Sequence, residues 1–574
     1  MKAIERSFRS WDDAELFYRA WLPDESKPDK ALLLFHRGHE HSGRWHATID
    51  SLGLSEISVF AWDARGHGRS AGVRGEAREL RDLIKDVDVF VKHIGGEYGI
   101  ALENMLLLAH SLAAVTVGAW VHDYAPPIRG LVLAAAAFKV RLYVPFAVSA
   151  LRLQQKICGS GQVKSYVRAQ MLTRDKVEAA RYATDPLIFR QIAINLLLDL
   201  HDTAQRLVAD AGAIDVPVLM LAAGCDSVVS LKSQREFFRR LGSSQKELQV
   251  FPEMRHAMFH DLGREQVIVR VRHFARQVFA APRVVRSLRG ADRSGYTCEE
   301  YGRLQQPSRL PYRVARAALG VGARLSDGIA LGWRTGFDSG ESLDYVYRNQ
   351  AAGLSPFGKI VDVIYLNSVG WRGIRQRKAH LQKALREVIA DLQAAGEPVR
   401  ILDLAAGPGR YVLETMHALG GNGVAAVLRD YEQANVLAAR ALAQKLGLTN
   451  VEVDHGDAFD RMSLAAIEPR ATIGIVSGLY ELFPSNSDVL ESLGGLATAV
   501  APGGYLIYTN QPWHPQLKFI ACVLHNREGK RWIMRRRTTA EIDELVASSG
   551  FEKRRMEIDR WGMFTVTVAR RRSS

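Results

Sequence analysis

Apolar residues along this chain fall into two series of short runs, each run alternating with amphipathic stretches. The first series lies near 31–36, 57–62, 104–109, 129–136, 216–223 and 247–252. The second begins at Val399 and recurs at 424–428, 451–453, 473–476, 505–509 and 563–569. A strand buried on both faces loses the period-two alternation of a half-exposed strand. The pattern therefore predicts mostly parallel sheets covered by helices on both faces, an α/β architecture with two doubly wound domains. Residues 139–207 interrupt the first series with helical, amphipathic sequence such as Val144-Pro145-Phe146-Ala147-Val148 and Ile194-Asn195-Leu196-Leu197-Leu198, and they read as a lid.

Between the two series, residues 279–310 lack sustained periodicity, and Gln305-Gln306-Pro307-Ser308-Arg309-Leu310-Pro311 is a breaker cluster. Helical periodicity returns at Ser342–Tyr347 and continues from Ile374 to Leu392. The expected division is a domain at 1–278, linker and connecting helices at 279–340, and a second domain at 341–574. The apolar, small-residue stretch Ala317–Leu331 reads as one helix, packed between domains or lying on a membrane surface.

Composition changes this picture little. A chain of 574 residues with 47% apolar and 24% charged residues is an ordinary globular chain, long enough for two cores. No run of about 18 apolar residues lacks charges, so no membrane span is expected. The first ten residues carry no apolar run behind their charges, so no signal peptide is expected. Four well-separated cysteines, Cys158, Cys225, Cys298 and Cys522, form no CxxC pair and suit a reducing cytoplasm. The net charge of +14 gathers in Lys530-Arg531, Arg535-Arg536-Arg537, Lys553-Arg554-Arg555 and Arg570-Arg571-Arg572. These read as a solvated basic surface or as a contact for an anionic partner, a phospholipid surface or a nucleic acid.

Candidate chemistry starts at Leu106-Leu107-Leu108-Ala109-His110-Ser111-Leu112-Ala113-Ala114, an apolar strand that stops at a serine and restarts as a helix. Such a turn lifts Ser111 above the sheet and aims the Leu112 backbone N–H at the same spot. A plain helix-capping serine is the alternative. Two further strand ends carry an acid and a histidine, Asp226 and His256, in the chain order Ser, Asp, His of a hydrolase triad.

His36-Arg37-Gly38-His39-Glu40-His41-Ser42-Gly43-Arg44-Trp45 and Asp63-Ala64-Arg65-Gly66-His67-Gly68-Arg69-Ser70 resemble two motifs of the monoacylglycerol lipases and related lysophospholipases. The resemblance covers about residues 10–278. It implies an α/β-hydrolase fold with a helical lid and ester hydrolysis through an acyl-enzyme. In that reading Ser111 is the nucleophile, His256 the base and Asp226 its orienting partner, with the N–H groups of Gly38 and Leu112 as oxyanion hole. Two positions depart from the family. The Gly-x-Ser-x-Gly elbow reads Ala109-His110-Ser111-Leu112-Ala113, and Arg37 occupies a usual glycine, where it either crowds the acyl pocket or recognises an anionic head group. His36, His39, His41, His46 and Glu40 are irregularly spaced for zinc, and no metal site is expected.

In the second half, Val399-Arg400-Ile401-Leu402-Asp403-Leu404-Ala405-Ala406-Gly407-Pro408-Gly409-Arg410 is a strand ending in an acid and a glycine turn. Alone it suits a dinucleotide site equally well. Acids follow the next two strands at Asp430 and Asp457-Ala458, and Pro502-Gly503-Gly504 precedes the fifth. Together these resemble the class I S-adenosylmethionine-dependent methyltransferases, a Rossmann-like fold, over about residues 345–574. The resemblance implies S-adenosyl-L-methionine as cofactor. Asp403, Ala405, Gly407 and Gly409 would line its methionine and sugar side, Asp430 the ribose, and Asp457 with Ala458 the adenine. Tyr480, Glu481 and His514 lie on loops expected to face the methyl acceptor.

The leading expectation is a bifunctional cytoplasmic enzyme, peripheral to anionic membrane. One domain hydrolyses a monoacylglycerol- or lysophospholipid-like ester, and the other methylates an undefined acceptor. Two rivals stand: a methyltransferase with an inactive, ligand-binding hydrolase module, and a nucleic-acid methyltransferase with an accessory domain. The absence of an Asn-Pro-Pro-Tyr type run after the fourth strand lowers the case for nucleic acid as partner.

Overall fold

The computed structural model describes residues 2–23, 29–284, 286–421 and 423–573. The chain divides into two compact units, residues 1–285 and 286–574.

The first unit is built on eight strands: β1 (Ile4–Arg9), β2 (Glu15–Trp21), β3 (Ala31–Phe35), β4 (Ser58–Trp62), β5 (Met105–His110), β6 (Gly130–Ala134), and, after a small hairpin of β7 (Gln162–Lys164) and β8 (Gln191–Ala193), β9 (Val218–Ala223) and β10 (Lys246–Phe251). Their order is β1-β2-β4-β3-β5-β6-β9-β10, parallel from β4 to β10. The β1–β2 hairpin pairs antiparallel at one edge. Periodicity passes over β1, because its sequence IERSFR is largely charged and half in solvent, as an edge strand tolerates. The central strands are wholly buried and pack on both faces, which is why they read as unbroken apolar runs. Helix α1 (Leu112–Tyr124) follows β5 directly. Residues 139–207 carry short helices and the β7–β8 hairpin, among them α2 (Lys176–Thr184).

The second unit holds seven strands: β11 (Val399–Leu404), β12 (Val424–Asp430), β13 (Val451–His455), β14 (Ala471–Val476), β15 (Val500–Asn510), β16 (Phe551–Ile558) and β17 (Thr565–Arg571). Their order is β13-β12-β11-β14-β15-β17-β16, with β17 inserted antiparallel between β15 and β16. The stretch expected as one helix over 317–331 is two. The first is α3 (Leu310–Gly322), and Ser326 caps a new helix at Asp327–Thr335. Helices α4 (Gly340–Arg348), α5 (Pro356–Leu366) and α6 (Val369–Ala394) lead into β11, and α7 (Arg410–Ala418) follows it. A further helix, Tyr296–Gln305, forms where the sequence lacks periodicity.

Its anchor corrects one expectation. Arg535, Arg536 and Arg537 are not a solvated basic run: each side chain is 1% exposed. Arg536 pairs with Glu300 of that helix, and Arg535 pairs with Glu541 at 2.8 Å. Arg537 donates to Asn486 and to the carbonyls of Tyr480, Phe483 and Ser485. Burial pulls the Arg537 guanidinium down to about 10. Among the described residues, no helix is long and apolar enough to cross a membrane.

Breaking a buried pair strands the remaining charge. Arg535→Ala leaves Glu541 with Thr297, Asn486 and a distant Arg537. The expected loss is about 3 kcal/mol, the lower end for a broken buried pair. Lys530→Ala, which breaks the exposed Lys530–Glu528 pair, is expected to cost under about 0.5 kcal/mol. Urea unfolding of the full chain, followed by tryptophan emission, measures both.

Candidate active sites

In each unit the strand order reverses once beside a central strand, and there the carboxyl ends of two strands leave a crevice. In the first unit that strand is β3, between β4 and β5. The loop after β3 carries Arg37 and Gly38, and β5 runs into Ser111.

Ser111 has φ 58° and ψ −112°, a conformation that costs a non-glycine residue about 1–3 kcal/mol. Three backbone hydrogen bonds hold it: its N–H donates to the Ala134 carbonyl at 2.9 Å, and its own carbonyl accepts from Ala114 and Ala137 at 3.1 Å. The Ser111 hydroxyl meets His256 Nε2 at 2.8 Å, and His256 Nδ1 meets Asp226 Oδ2 at 2.9 Å. The other carboxylate oxygen of Asp226 accepts from the N–H groups of Val228 and Val229. Burial pushes the Asp226 carboxyl up, but His256 and these donors more than reverse it, so it stays below the usual range. The carboxylate thus fixes the Nδ1–H tautomer and leaves Nε2 to accept from Ser111. Among the described residues, no acceptor takes the amide protons of Gly38 or Leu112, whose residues line the same cavity.

That cavity has a volume of about 350 Å³, and lid side chains such as Val144, Leu151, Ile192 and Leu197 make its walls apolar. Arg37 is not a free cation within it. Its Nη2 lies 2.7 Å from Glu40 Oε1, and its guanidinium lies over the Tyr182 ring of α2. Glu40 also faces Arg44, which pairs with Glu178 of α2 at 2.9 Å. Burial raises the Glu40 carboxyl, and Arg37 with its other cationic neighbours drives it far below the usual range. This chain of buried charges ties the oxyanion loop to the lid. His36 bridges the same loop, accepting from Ala64 N–H and donating to the Arg37 carbonyl. Among the described residues, no cluster of three or more His, Cys, Asp or Glu is placed to hold a metal ion.

In the second unit the order reverses at β11, between β12 and β14. A cavity of about 610 Å³ opens there, lined by Ala405, Gly407, Gly409, Asp430, Asp457 and Ala458 as the sequence reading expects. Asp403 is the exception. It is fully buried behind the turn, and its Oδ1 accepts from the Tyr411 hydroxyl. Burial pushes its carboxyl well above the usual range, and it does not line the cavity. Asp430 Oδ2 accepts from Gly407 N–H at 2.8 Å, and its Oδ1 from Glu432 N–H and Asn435. Gly407 has φ 58°, and a Cβ there would stand in the cavity, with nothing nearer than 3.9 Å. A Cβ on Gly409 would lie 2.5 Å from Leu428, so this glycine serves packing instead.

A second cavity of the same unit, about 520 Å³, shares Asp338, Leu343, Arg377, Gly478 and Leu482 with the first. Glu481 and His514 line this second cavity and not the first. Tyr480 does not. It turns into the core beneath β14 and β15, where its hydroxyl donates to Ser492. Arg377, Tyr431, Asn435 and Gln511 also line these cavities, and no motif in the sequence marks them. Tyr431, directly after the acid of β12, carried a signal in its position; Arg377 sits in a long amphipathic helix and carried none.

A family model described as "Putative methyltransferase" matches residues 271–571, and one described as "Serine aminopeptidase, S33" matches residues 26–263. The chain is 45% identical over 580 residues to "Uncharacterized protein YnbC" of Escherichia coli (strain K12), covering 99% of each. It is 26% identical over 271 residues to "Monoacylglycerol lipase" of Mycolicibacterium smegmatis (strain ATCC 700084 / mc(2)155), covering 46% of this chain and 94% of that protein. The crystal structure of Paleococcus ferrophilus monoacylglycerol lipase superposes with a TM-score of 0.41 at 24% identity, covering 48% of this chain and all of that one.

The strained serine predicts a reactive one. A fluorophosphonate probe is expected to label the full-length protein, Ser111→Ala to abolish labelling, and Asp226→Asn to slow it by about 10⁴ through loss of the tautomer. In-gel fluorescence against time measures all three.

Proposed function

We propose, from the premise that the chain belongs to the family described as "Putative methyltransferase", that it is a two-site enzyme, a serine carboxylic-ester hydrolase and an S-adenosylmethionine-dependent methyltransferase on one chain. The observation that carries the hydrolase half is the unbroken Ser111–His256–Asp226 hydrogen-bond chain at the floor of an apolar cavity.

In this reading His256 Nε2 takes the Ser111 proton as Oγ attacks the ester carbonyl. The N–H groups of Gly38 and Leu112 hold the oxyanion, and His256 returns its proton to the leaving alcohol. Water, activated by the same imidazole, then releases the acid. The apolar walls suit an acyl chain, and the relatives that are monoacylglycerol lipases favour a monoacylglycerol- or lysophospholipid-like ester. The rival, an inactive binding module, needs a disrupted elbow or an obstructing Arg37. Ala109 and Ala113 are buried beside an intact triad, and the Arg37 guanidinium is bound to Glu40.

The second site fits an adenosyl cofactor. The bare face of Gly407 leaves room for close approach, the N-terminus of α7 favours polar groups, and Asp430 lies where a ribose diol would be accepted. Asp457 and Ala458, with the exposed ring of Tyr431, frame the space for a base. When bound, the cofactor supplies an electrophilic methyl group on a sulfonium. The protein's part is to align the acceptor with it and exclude water. Peripheral membrane contact belongs to the same reading. Exposed Leu310, Val314 and Val321 share α3 with exposed Arg313, and residues 308–326 hold four arginines and no acid.

Two measurements test this. Across p-nitrophenyl acyl esters, monoacylglycerols and lysophospholipids, the wild type is expected to turn over and Ser111→Ala to fall to background. Lack of turnover by folded protein overturns the hydrolase. S-Adenosylmethionine titrated calorimetrically is expected to bind, and Asp430→Ala to weaken it about 10- to 100-fold, one to two hydrogen bonds to a charged acceptor. An unaltered affinity overturns the ribose assignment.

A further inference from the structure

The 520 Å³ cavity beside the cofactor cleft is apolar along its length and polar at one end. Leu319, Ile364, Trp371, Ile520, Phe519 and Trp532 make the apolar wall. Its rim reaches solvent at Ala318 and at Ile364, which is 68% exposed, so an apolar ligand enters past apolar groups.

The polar end lies where the two cavities share Arg377 and Gly478. It offers hydrogen-bond donors. Gln511 is 2% exposed and its Nε2 has no partner among the described residues. Arg377 is 3% exposed, its Nε likewise has no partner, and its guanidinium meets Tyr347 and, at 3.5 Å through Nη1, Glu481. His514 Nδ1 accepts the N–H of Gln516 at 3.1 Å, and burial pushes its pKa down to about 4. It is therefore neutral at pH 7 with its proton on Nε2, a donor rather than a base. Of the other groups expected at the acceptor, Glu481 faces Arg377, and Tyr480 is turned into the core. The pocket thus has donors for an anionic oxygen head, and its two carboxylates, Glu481 and Asp338, face Arg377 and Arg527.

Resting on the methyltransferase reading above, we propose that this cavity binds a long-chain fatty acid and that its carboxylate is the methyl acceptor. A carboxylate needs no base. One of its oxygens attacks the sulfonium methyl carbon, the methyl–sulfur bond breaks with its electron pair left on sulfur, and a fatty acid methyl ester and a neutral thioether result. No proton is transferred. Such an acid is the product class that ester hydrolysis at Ser111 releases, so hydrolysis of an acyl ester is the class of reaction that supplies this substrate.

The test reads binding and product separately. Trp371 and Trp532 line this cavity, and no tryptophan lines the cavity at Ser111. 9,10-Dibromostearate titrated into the full-length protein is therefore expected to quench tryptophan emission saturably, and Trp371→Phe/Trp532→Phe to lose that quenching. Gln511→Leu and Arg377→Gln are each expected to weaken it about tenfold, one charge-assisted hydrogen bond. With S-adenosylmethionine and stearate, Ser111→Ala protein, which cannot cleave the product, is expected to yield methyl stearate by gas chromatography, while stearyl alcohol yields no ether. Absence of saturable quenching, or quenching that survives the double Phe variant, overturns the site. Methylation of the alcohol and not the acid overturns the carboxylate. Quenching without S-adenosylmethionine binding by calorimetry instead overturns the methyltransferase reading, and leaves the lipid site standing.

Discussion

A parallel sheet covered on both faces can be reached only at the ends of its strands, and this constraint organises both units. The central strands pair on both edges and pack on both faces. Chemistry is then confined to the carboxyl edge, where strand order reverses and two loops part. In the first unit those loops follow β3 and β5 and bring Gly38 and Leu112 to one place. In the second they follow β11 and β14 and bring Gly407 and Gly478 to one cavity. Strain enters where the chain turns off the edge. Ser111 and Ala405 both hold a positive φ, at 58° and 51°, and neither is a glycine. Such backbone persists because the surrounding hydrogen bonds overdetermine it.

Buried charge adds a second layer. The Arg37–Glu40–Arg44–Glu178 series lies almost wholly out of solvent and spans from the oxyanion loop to α2 of the lid. A buried pair contributes little net stability relative to apolar packing, because desolvation offsets attraction. Its effect is geometric: it links the loop after β3 to α2 through paired charges. Arg37, which takes the place of a glycine in the lipase motif this loop resembles, is accommodated by this series and by the Tyr182 face. The departure in sequence is thus part of the loop's support.

The strands and the triad were legible from sequence because each has a local cause. Unbroken apolar runs mark strands buried on both faces, and the serine, acid and histidine follow three of them in the expected order. The glycine turn after β11 was legible for the same reason. What escaped depends on direction or on distant partners. Asp403 and Tyr480 sit at the expected strand ends, yet each side chain turns away from the cleft, into partners eight and twelve residues on. The Arg535–Arg537 run looks solvated in any local window. Its burial depends on Glu300, Asn486 and Glu541, the first more than two hundred residues away. The helices of 310–366 contribute one wall of the apolar cavity; parts of them read as helical, whereas Tyr296–Gln305 lacks the apolar periodicity that would mark it.

The two sites differ most in how they treat protons. At Ser111 an alcohol must lose one, and the structure provides a histidine whose Nε2 is free to accept because Asp226 holds the opposite nitrogen as a donor. At His514 the arrangement is inverted. A backbone N–H occupies Nδ1, so the ring presents N–H toward the cavity, and burial keeps it from becoming a cation near neutral pH. An imidazole held in that tautomer stabilises an anion and cannot generate one. A hydroxyl acceptor would therefore find no proton acceptor on this ring, whereas a group that arrives already ionised would find a donor. The hydrogen bond on the far side of each ring thus fixes whether the near nitrogen accepts or donates.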